Sequence, residues 1–288
     1  MTTATVSVPI WRRLRTWDPA LAVGATILAL ILLFALLGPL LVNPKWANVG
    51  AFRPRMQPDA QHLLGTDTQG RDVLTTLATA TGNTLKIGLL AGFVGLSIGL
   101  VLGLLAGYFG GVLDSIIRTT TDVLNTIPGI LILVVVAMMM QSMTVELMAL
   151  IIALLAWRHP ARAVRAQTLT LRERGYVEIA RLSGMSGLEI IVKEVLPNLA
   201  PYIAASFVTV VSASVLSSIG LEALGLGAQN ALTLGMMIYW AQFYAAILRG
   251  MWWWWLPPIV MLVLIFVGLL FTSSGLDQMF NKRVRRVG

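Results

Sequence analysis

The sequence predicts an all-α, polytopic membrane protein with six transmembrane helices. The 288 residues are 57% hydrophobic and only 12% charged, which is too apolar for an ordinary soluble domain. Five runs contain no charged residue, and each is longer than the about 20 residues that a helix needs to cross a bilayer. These runs are 19–44, 87–113, 123–145, 195–221 and 250–276.

A further crossing is predicted at 143–161, although it is shorter and carries Glu146 near one end and Arg158 near the other. We accept it because long charged side chains at a span end can extend to the interface. The uncharged stretch 223–248 is broken by glycines and amides. We therefore interpret it as an outer loop with short helices or a re-entrant piece, not as a seventh span.

These assignments divide the chain into six spans and the segments between them. The spans are 19–42, 84–109, 121–142, 143–161, 199–221 and 256–276, of which the last five form a core at 84–278. The other segments are a tail 1–18, outer loops 43–83 and 222–255, a cytosolic loop 162–198 and a basic tail 277–288.

Basic residues predict the orientation, since cytosolic loops carry an excess of Lys and Arg. With the N-terminus inside, fifteen of the 21 basic residues fall on the inner side. We therefore expect a multi-pass protein of the plasma (inner) membrane, in contact with the lipid bilayer, with both termini in the cytosol. The net charge of +8 follows mostly from this topology, and nucleic acid is a poor partner because no basic stripe is interleaved with stacking aromatics.

Metal binding is not expected. The chain has no cysteine, and its two histidines, His62 and His159, are predicted on opposite sides of the membrane.

Two helices carry stripes of small residues. In the second span, glycines recur every three or four residues from Gly88 to Gly107, on a face about 120° wide. This face predicts close helix packing. In the fifth span, Ser206, Thr209 and Ser217 share a face with Ala213 and Gly220. Here two interpretations stay open: the small residues pack against a helix, or their hydroxyls line a pathway for a polar solute.

The cytosolic loop has a regular pattern. Residues 176–182 are predicted to form a short helix, 184–187 a turn, and 188–195 a second helix, with Pro197 ending this platform before the next span.

Four ordered motifs carry a resemblance to a known family. They are Glu178, Ala180, Gly184, Leu196 and Pro197 in the loop; His62 to Asp67 followed by Gly70-Arg71-Asp72; Gly107 to Gly111 with Asp114, Arg118, Asp122 and Ile127-Pro128; and Leu221 to Gly227. On these residues the chain resembles the permease subunits of ATP-binding-cassette importers, in the dipeptide and oligopeptide branch, and there the second (C-type) permease. The similarity runs from about residue 14 to 277, with Ile179 and Glu194 departing from the usual loop pattern.

The resemblance implies a type I importer permease fold and a set of partners. These are a homologous second permease, two cytosolic ATPases and an extracytoplasmic solute-binding protein. The loop would dock into a groove on an ATPase through the residues that match the motif or surround it, namely Tyr176, Glu178, Ala180, Arg181, Gly184, Leu188, Leu196 and Pro197. No Gly-x-x-x-x-Gly-Lys-Ser/Thr motif occurs, so we expect no catalytic residues here, and ATP and Mg to bind the partner ATPases.

The transported solute stays open at this point. Uptake of di- or oligopeptides is the main interpretation. An oligosaccharide importer of the same branch is the alternative, since the run Trp252 to Trp255 could offer an outer aromatic surface, with Trp252 and Trp253 as its candidates. An interfacial aromatic belt explains the same run. A proton-coupled carrier is less well supported, because the five long runs contain no ionisable group.

Overall fold

The computed structural model describes residues 19–229 and 231–280. The predicted tail 1–18 and most of the predicted tail 277–288 lie outside these residues. Within the described ranges the chain is helical, with one isolated β-bridge between Thr66 and Asp72 and no strand. The all-α prediction is therefore confirmed.

Ten helices follow one another in the described part of the chain. They are α1 (Pro19–Leu41), α2 (Val73–Phe109), α3 (Gly111–Thr126), α4 (Gly129–Met138), α5 (Val145–Ala156), α6 (Arg158–Arg172), α7 (Gly175–Leu182), α8 (Gly187–Ala223), α9 (Leu234–Phe243) and α10 (Trp252–Phe280). Four of them, α1, α2, α8 and α10, are each long and apolar enough to cross a membrane. The pairs α3–α4 and α5–α6 bring the count to as many as six if each bent pair is one span.

The third predicted span, 121–142, is not one helix in the structure. Residues up to Thr126 belong to α3, and α4 follows after a bend of 82°. The break lies at Ile127-Pro128, because the proline ring disfavours a helical residue before it and Ile127 is extended (φ −89°, ψ 129°). With 10 residues, α4 is only about 15 Å long, half of the hydrocarbon core.

The start of the second span also differs from the prediction. Helix α2 begins at Val73, eleven residues before the predicted boundary at 84, because Asp72 caps it by accepting a hydrogen bond from the Thr75 backbone N–H at 2.8 Å. The glycine face of α2 packs as predicted. A Cβ added at any of the six glycines from Gly88 to Gly107 would come within 2.4 to 2.7 Å of α5, α6, α8 or the residue Trp157 that joins α5 to α6.

Pro197 does not end a helix, and that prediction is wrong. Helix α8 runs without interruption from Gly187 to Ala223. Its residues Ile191–Val195 form a π turn directly before Leu196 and Pro197. A wider turn accommodates a ring that would otherwise clash with the carbonyl four residues earlier.

The segment 43–72 folds onto the ends of α2 and α10 and contains one 3-10 turn, Pro44–Ala47. Its buried charged side chains are paired. Arg71 Nε donates to Asp67 Oδ2 at 2.6 Å, and His62 Nδ1 lies 2.9 Å from Asp72 Oδ2. Paired and hydrogen-bonded charges can be buried at acceptable cost, so this segment is a compact unit.

Candidate functional site

Helix α7, the turn after it and the first residues of α8 form a bent structure that we call the elbow, residues 175–195. Helix α7 ends in a glycine cap. The Met185 N–H donates to the Ala180 carbonyl at 3.2 Å and the Gly184 N–H to the Arg181 carbonyl at 3.1 Å, with Gly184 at φ +83°. A left-handed residue there favours glycine. Ser186 then caps α8 by accepting from the Glu189 N–H at 3.3 Å. Sequence reasoning predicted this helix, turn and helix.

The inner face of the elbow packs against the bundle. Val177, Ala180, Ile190, Ile191 and Val195 are buried in one cluster. The cluster also contains Leu104 of α2 and Val164 of α6. The elbow is therefore an extension of the bundle with a fixed position, and not a loose connection.

The outer face of the elbow is apolar and uncovered within the described chain. Ile179, Leu182, Leu188 and Val192 are 59 to 82% exposed. Glu178 and Arg181 are exposed between them. We call these six residues the elbow face. Exposed apolar side chains on two neighbouring helices, interspersed with charged ones, are typical of a protein–protein contact.

The eight predicted coupling residues do not share one surface. Glu178, Arg181, Gly184, Leu188 and Pro197 are exposed, Ala180 is buried, and Tyr176 and Leu196 are half-buried against the inner cluster. The Tyr176 hydroxyl is buried without a hydrogen-bond partner, and burial raises the pKa of this tyrosine above its usual value of 10.0. The motif alone therefore does not tell which of these residues face outward and which pack inward and hold the elbow in place.

Ile179, Leu182 and Val192 belong to the elbow face but were not predicted as contact residues. Helical periodicity contains part of this information, since Leu182 lies about 140° around α7 from buried Val177. Which side faces the bundle depends on α2 and α6, so the sequence could not assign it.

The three hydroxyl residues predicted for the pathway line two adjoining cavities. The central cavity, of about 250 Å³, lies between α4, α5, the start of α6 and α8, and is lined by Thr209 and Ser217. The side cavity, of about 220 Å³, is lined by Ser206 and Thr209 and reaches Asp277 of α10. His159, Thr209 and Val210 line both cavities. The stripe on α8 thus borders open space, while its use as a pathway stays a prediction.

Arg158 lines the central cavity and is turned into the protein. It is only 8% exposed, and its Nε donates to the Leu155 carbonyl at 2.9 Å while Nη1 donates to the Leu124 carbonyl. The expectation that it extends to the membrane surface is wrong for this residue. The two carbonyls belong to the last turns of α5 and α3, where helix carbonyls lack partners, so the guanidinium is drawn inward.

Only one of the two tryptophans predicted to form an outer aromatic surface is exposed. Trp252 is 51% exposed, but Trp253 is 6% exposed and donates from Nε1 to the Thr66 carbonyl at 3.3 Å. The reason is that α10 begins at Trp252, four residues before the predicted start of the last span. Successive side chains then point about 100° apart around the helix.

The fold and these features are those of a helical membrane protein, and comparison with known proteins narrows the class. Residues 99–286, more than half of the chain, match the family described as binding-protein-dependent transport system inner membrane component. The chain belongs to this family. Its members are transport permeases and not catalytic enzymes.

Individual relatives agree with the family match. A putative peptide transport system permease protein of Brucella suis biovar 1 (strain 1330) is 32% identical over 71% of this chain and 69% of the relative. The oligopeptide transport system permease protein OppC of Escherichia coli (strain K12) is 31% identical over 77% of this chain and 74% of OppC. A solved chain of the MetNI methionine ABC transporter in an inward-facing conformation superposes with a TM-score of 0.52 and 21% identity, over 69% of this chain and 96% of that chain. That likeness supports the type I importer permease fold.

Proposed function

We propose that this chain is a permease subunit of an ATP-driven, binding-protein-dependent importer of di- and oligopeptides. Two of the relatives above carry a peptide or oligopeptide transport name, and this chain covers more than two thirds of the length of each. In this proposal a homologous permease completes the pathway, a solute-binding protein delivers the peptide outside, and two cytosolic ATPases bind ATP and Mg. Both termini lie in the cytosol.

The elbow face is the observation that carries the proposal. The elbow holds many charged side chains, among them Glu178, Arg181, Glu189 and Lys193, so it cannot lie in the hydrocarbon core. The exposed apolar side chains between them are therefore in water unless a protein covers them. A cytosolic ATPase with an apolar groove fits this surface, because burying it removes the cost of exposure.

Helix α8 provides a direct route from the elbow to the cavities. It is continuous from Leu188 on the elbow face to Thr209 and Ser217 at the central cavity. These 30 residues span roughly 45 Å at 1.5 Å per residue. When ATP binding draws the two ATPases together, the docked elbows move with them and the same helices move the cavity walls. ATP binding thus shifts the bundle between its inward-open and outward-open states, because the free energy of the contacts between the ATPases and the elbows differs between the two states.

Oligosaccharide uptake finds no separate support. The buried indole of Trp253 is not available for stacking on a sugar, and neighbouring Trp254 is buried as well.

Docking of the ATPases can be tested by Leu182→Asp. Leu182 is the most exposed apolar residue of the elbow face, so the charge disturbs the contact and not the fold. We expect the variant subunit to insert in the membrane, but the ATPases to be lost on purification and peptide uptake into vesicles to fall at least about tenfold. Leu63→Asp is the matched control, since Leu63 is also an exposed leucine and lies in the 43–72 segment. Retention of both ATPases and normal uptake with Leu182→Asp would remove the elbow face from this role.

A further inference from the structure

Arg158 is a buried cation without an acidic partner in the described residues. Its hydrogen bonds go to two backbone carbonyls, and no ion pair joins it to a carboxylate in 19–229 or 231–280. The two aspartates of α3, the helix that Arg158 contacts, are engaged by other arginines: Asp122 by Arg118 and Arg162, and Asp114 by Arg165. An ionised group inside a membrane bundle is costly unless it has a function or a partner.

The unused donors of Arg158 face the central cavity. A guanidinium has five N–H groups, and the two backbone contacts leave the Nη2 group free for another acceptor. Nη2 lies 2.8 Å from the position that a Cβ on Gly129 would take, and both residues line the cavity. The absence of a side chain at Gly129 therefore leaves the guanidinium open to this space.

Two serines of α8, Ser214 and Ser217, also belong to the cavity lining. The Ser214 hydroxyl forms no hydrogen bond but is fully covered, and the Ser217 hydroxyl donates to the Ala213 carbonyl at 2.8 Å. Neither hydroxyl proton is therefore offered to the cavity, in contrast to the Arg158 guanidinium.

We propose that the central cavity binds a carboxylate of the cargo, with Arg158 as the cationic contact. An arginine fork and a carboxylate match in charge and geometry, and binding would give the buried cation the anionic partner that it lacks. This inference rests on the proposed function, and it assigns the C-terminal carboxylate of a peptide to this position in the pathway.

The size and charge of the two cavities fit one end of a peptide. At about 250 Å³, the central cavity is smaller than the about 300–1,000 Å³ of complete small-molecule sites, so it would hold a terminal residue. The side cavity, which shares His159 and Thr209, would receive the next residues. It is bordered by Asp277, so the two cavities present groups of opposite charge, as a zwitterionic peptide does. A neutral sugar would use neither charge.

The test uses a cysteine placed in the cavity of a chain that has none of its own. Ser217→Cys is nearly isosteric, and it leaves Arg158 in place to cap α3 and α5. In the complete complex, labelling of this chain by an anionic (sulfonatoethyl) and a cationic (trimethylammonioethyl) methanethiosulfonate is followed by mass spectrometry. We expect the ratio of anionic to cationic rates in Ser217→Cys to exceed that in an exposed control, Ser142→Cys, by about tenfold. Adding Arg158→Gln should abolish the excess, and Arg158→Lys should retain it.

Cargo recognition is tested by measuring how well tri-alanine and its C-terminal amide protect the introduced thiol of Ser217→Cys from labelling. Tri-alanine should protect at a concentration about tenfold lower than the amide, and Arg158→Gln should remove the difference. Equal protection, no anionic preference, or no labelling of the introduced thiol by either reagent would each overturn the proposal. Uptake of tri-alanine by vesicles is measured in parallel. If the wild-type complex transports it and the acid and amide protect equally, only the inference fails, whereas absence of uptake refutes the proposed function.

Discussion

The 43–72 segment and the elbow use the same residue types in opposite ways. In the segment, Gly65 and Gly70 have positive φ and are packed so closely that an added Cβ would lie 2.4 and 2.3 Å from a backbone carbonyl oxygen. In the elbow, Gly184 has positive φ but nothing lies within 4 Å of the same position. The segment pairs its buried charges, while the elbow leaves apolar side chains in the open. The comparison shows one region that satisfies its buried charges within the chain and another that leaves an apolar surface open, as the proposed ATPase contact requires.

The largest expected effect tests the completeness of the 43–72 segment. Asp67 accepts hydrogen bonds from the Gln69 and Arg71 backbone N–H groups and from Arg71 Nε, at 2.6 to 2.9 Å. In Asp67→Ala, Arg71 becomes a buried charge without its partner, so we expect a loss of about 3–5 kcal/mol in unfolding free energy. Thermal unfolding of the purified subunit in detergent measures it.

Glu189→Ala in the elbow is the control for this change. The Glu189–Lys193 pair is as short, 2.6 Å, but both side chains are solvent-exposed, so no change in the unfolding midpoint is expected. An unchanged midpoint for Asp67→Ala as well would mean that the segment does not depend on its buried pair, and the comparison would fail.

The glycines give the next effect in size. Gly65→Ala adds a methyl group against the Met56 carbonyl in a left-handed backbone, and should cost about 2–4 kcal/mol. Gly184→Ala introduces only the backbone strain of a left-handed residue, and should cost about 1 kcal/mol of stability. Gly184→Asn should cost less still, because asparagine tolerates this conformation. The unfolding midpoints of the three variants measure the order, and equal losses at the two glycines would contradict the difference in packing.

The sequence predicted the parts of the molecule that depend on local chemistry. The α7 helix, its glycine cap and the packing face of α2 follow from spacing and from the small side chain of glycine. The break at Pro128 was not predicted, because proline inside a membrane helix produces either a modest kink or a full break, and neighbouring helices decide which. Here the bend reaches 82°.

The candidate site was predicted less completely, because side-chain direction depends on distant neighbours. Arg158 at a span end can extend to the surface or turn inward. The decisive acceptor, the Leu124 carbonyl, is 34 residues away in sequence. Similarly, the side of α10 on which Trp253 falls depends on the helix start and on Thr66 in the 43–72 segment.

The smallest expected effect concerns the one partnerless polar group buried in the described elbow, the Tyr176 hydroxyl. Tyr176→Phe removes it without changing the packing of the ring, so stability at pH 7 should stay within about 1 kcal/mol of the wild type, on the side of greater stability.

The difference in stability between Tyr176→Phe and the wild type should grow at alkaline pH. Because burial raises the pKa of Tyr176 in the folded state, the unfolded tyrosine ionises first. The wild type then loses stability as the pH rises from about 10 through the higher folded value, while phenylalanine has no such loss. Unfolding midpoints from about pH 9 to about pH 11.5 should therefore diverge in favour of Tyr176→Phe. A constant difference across this range would mean that the hydroxyl reaches water, and the elbow would then bury no unpaired group on its inner face.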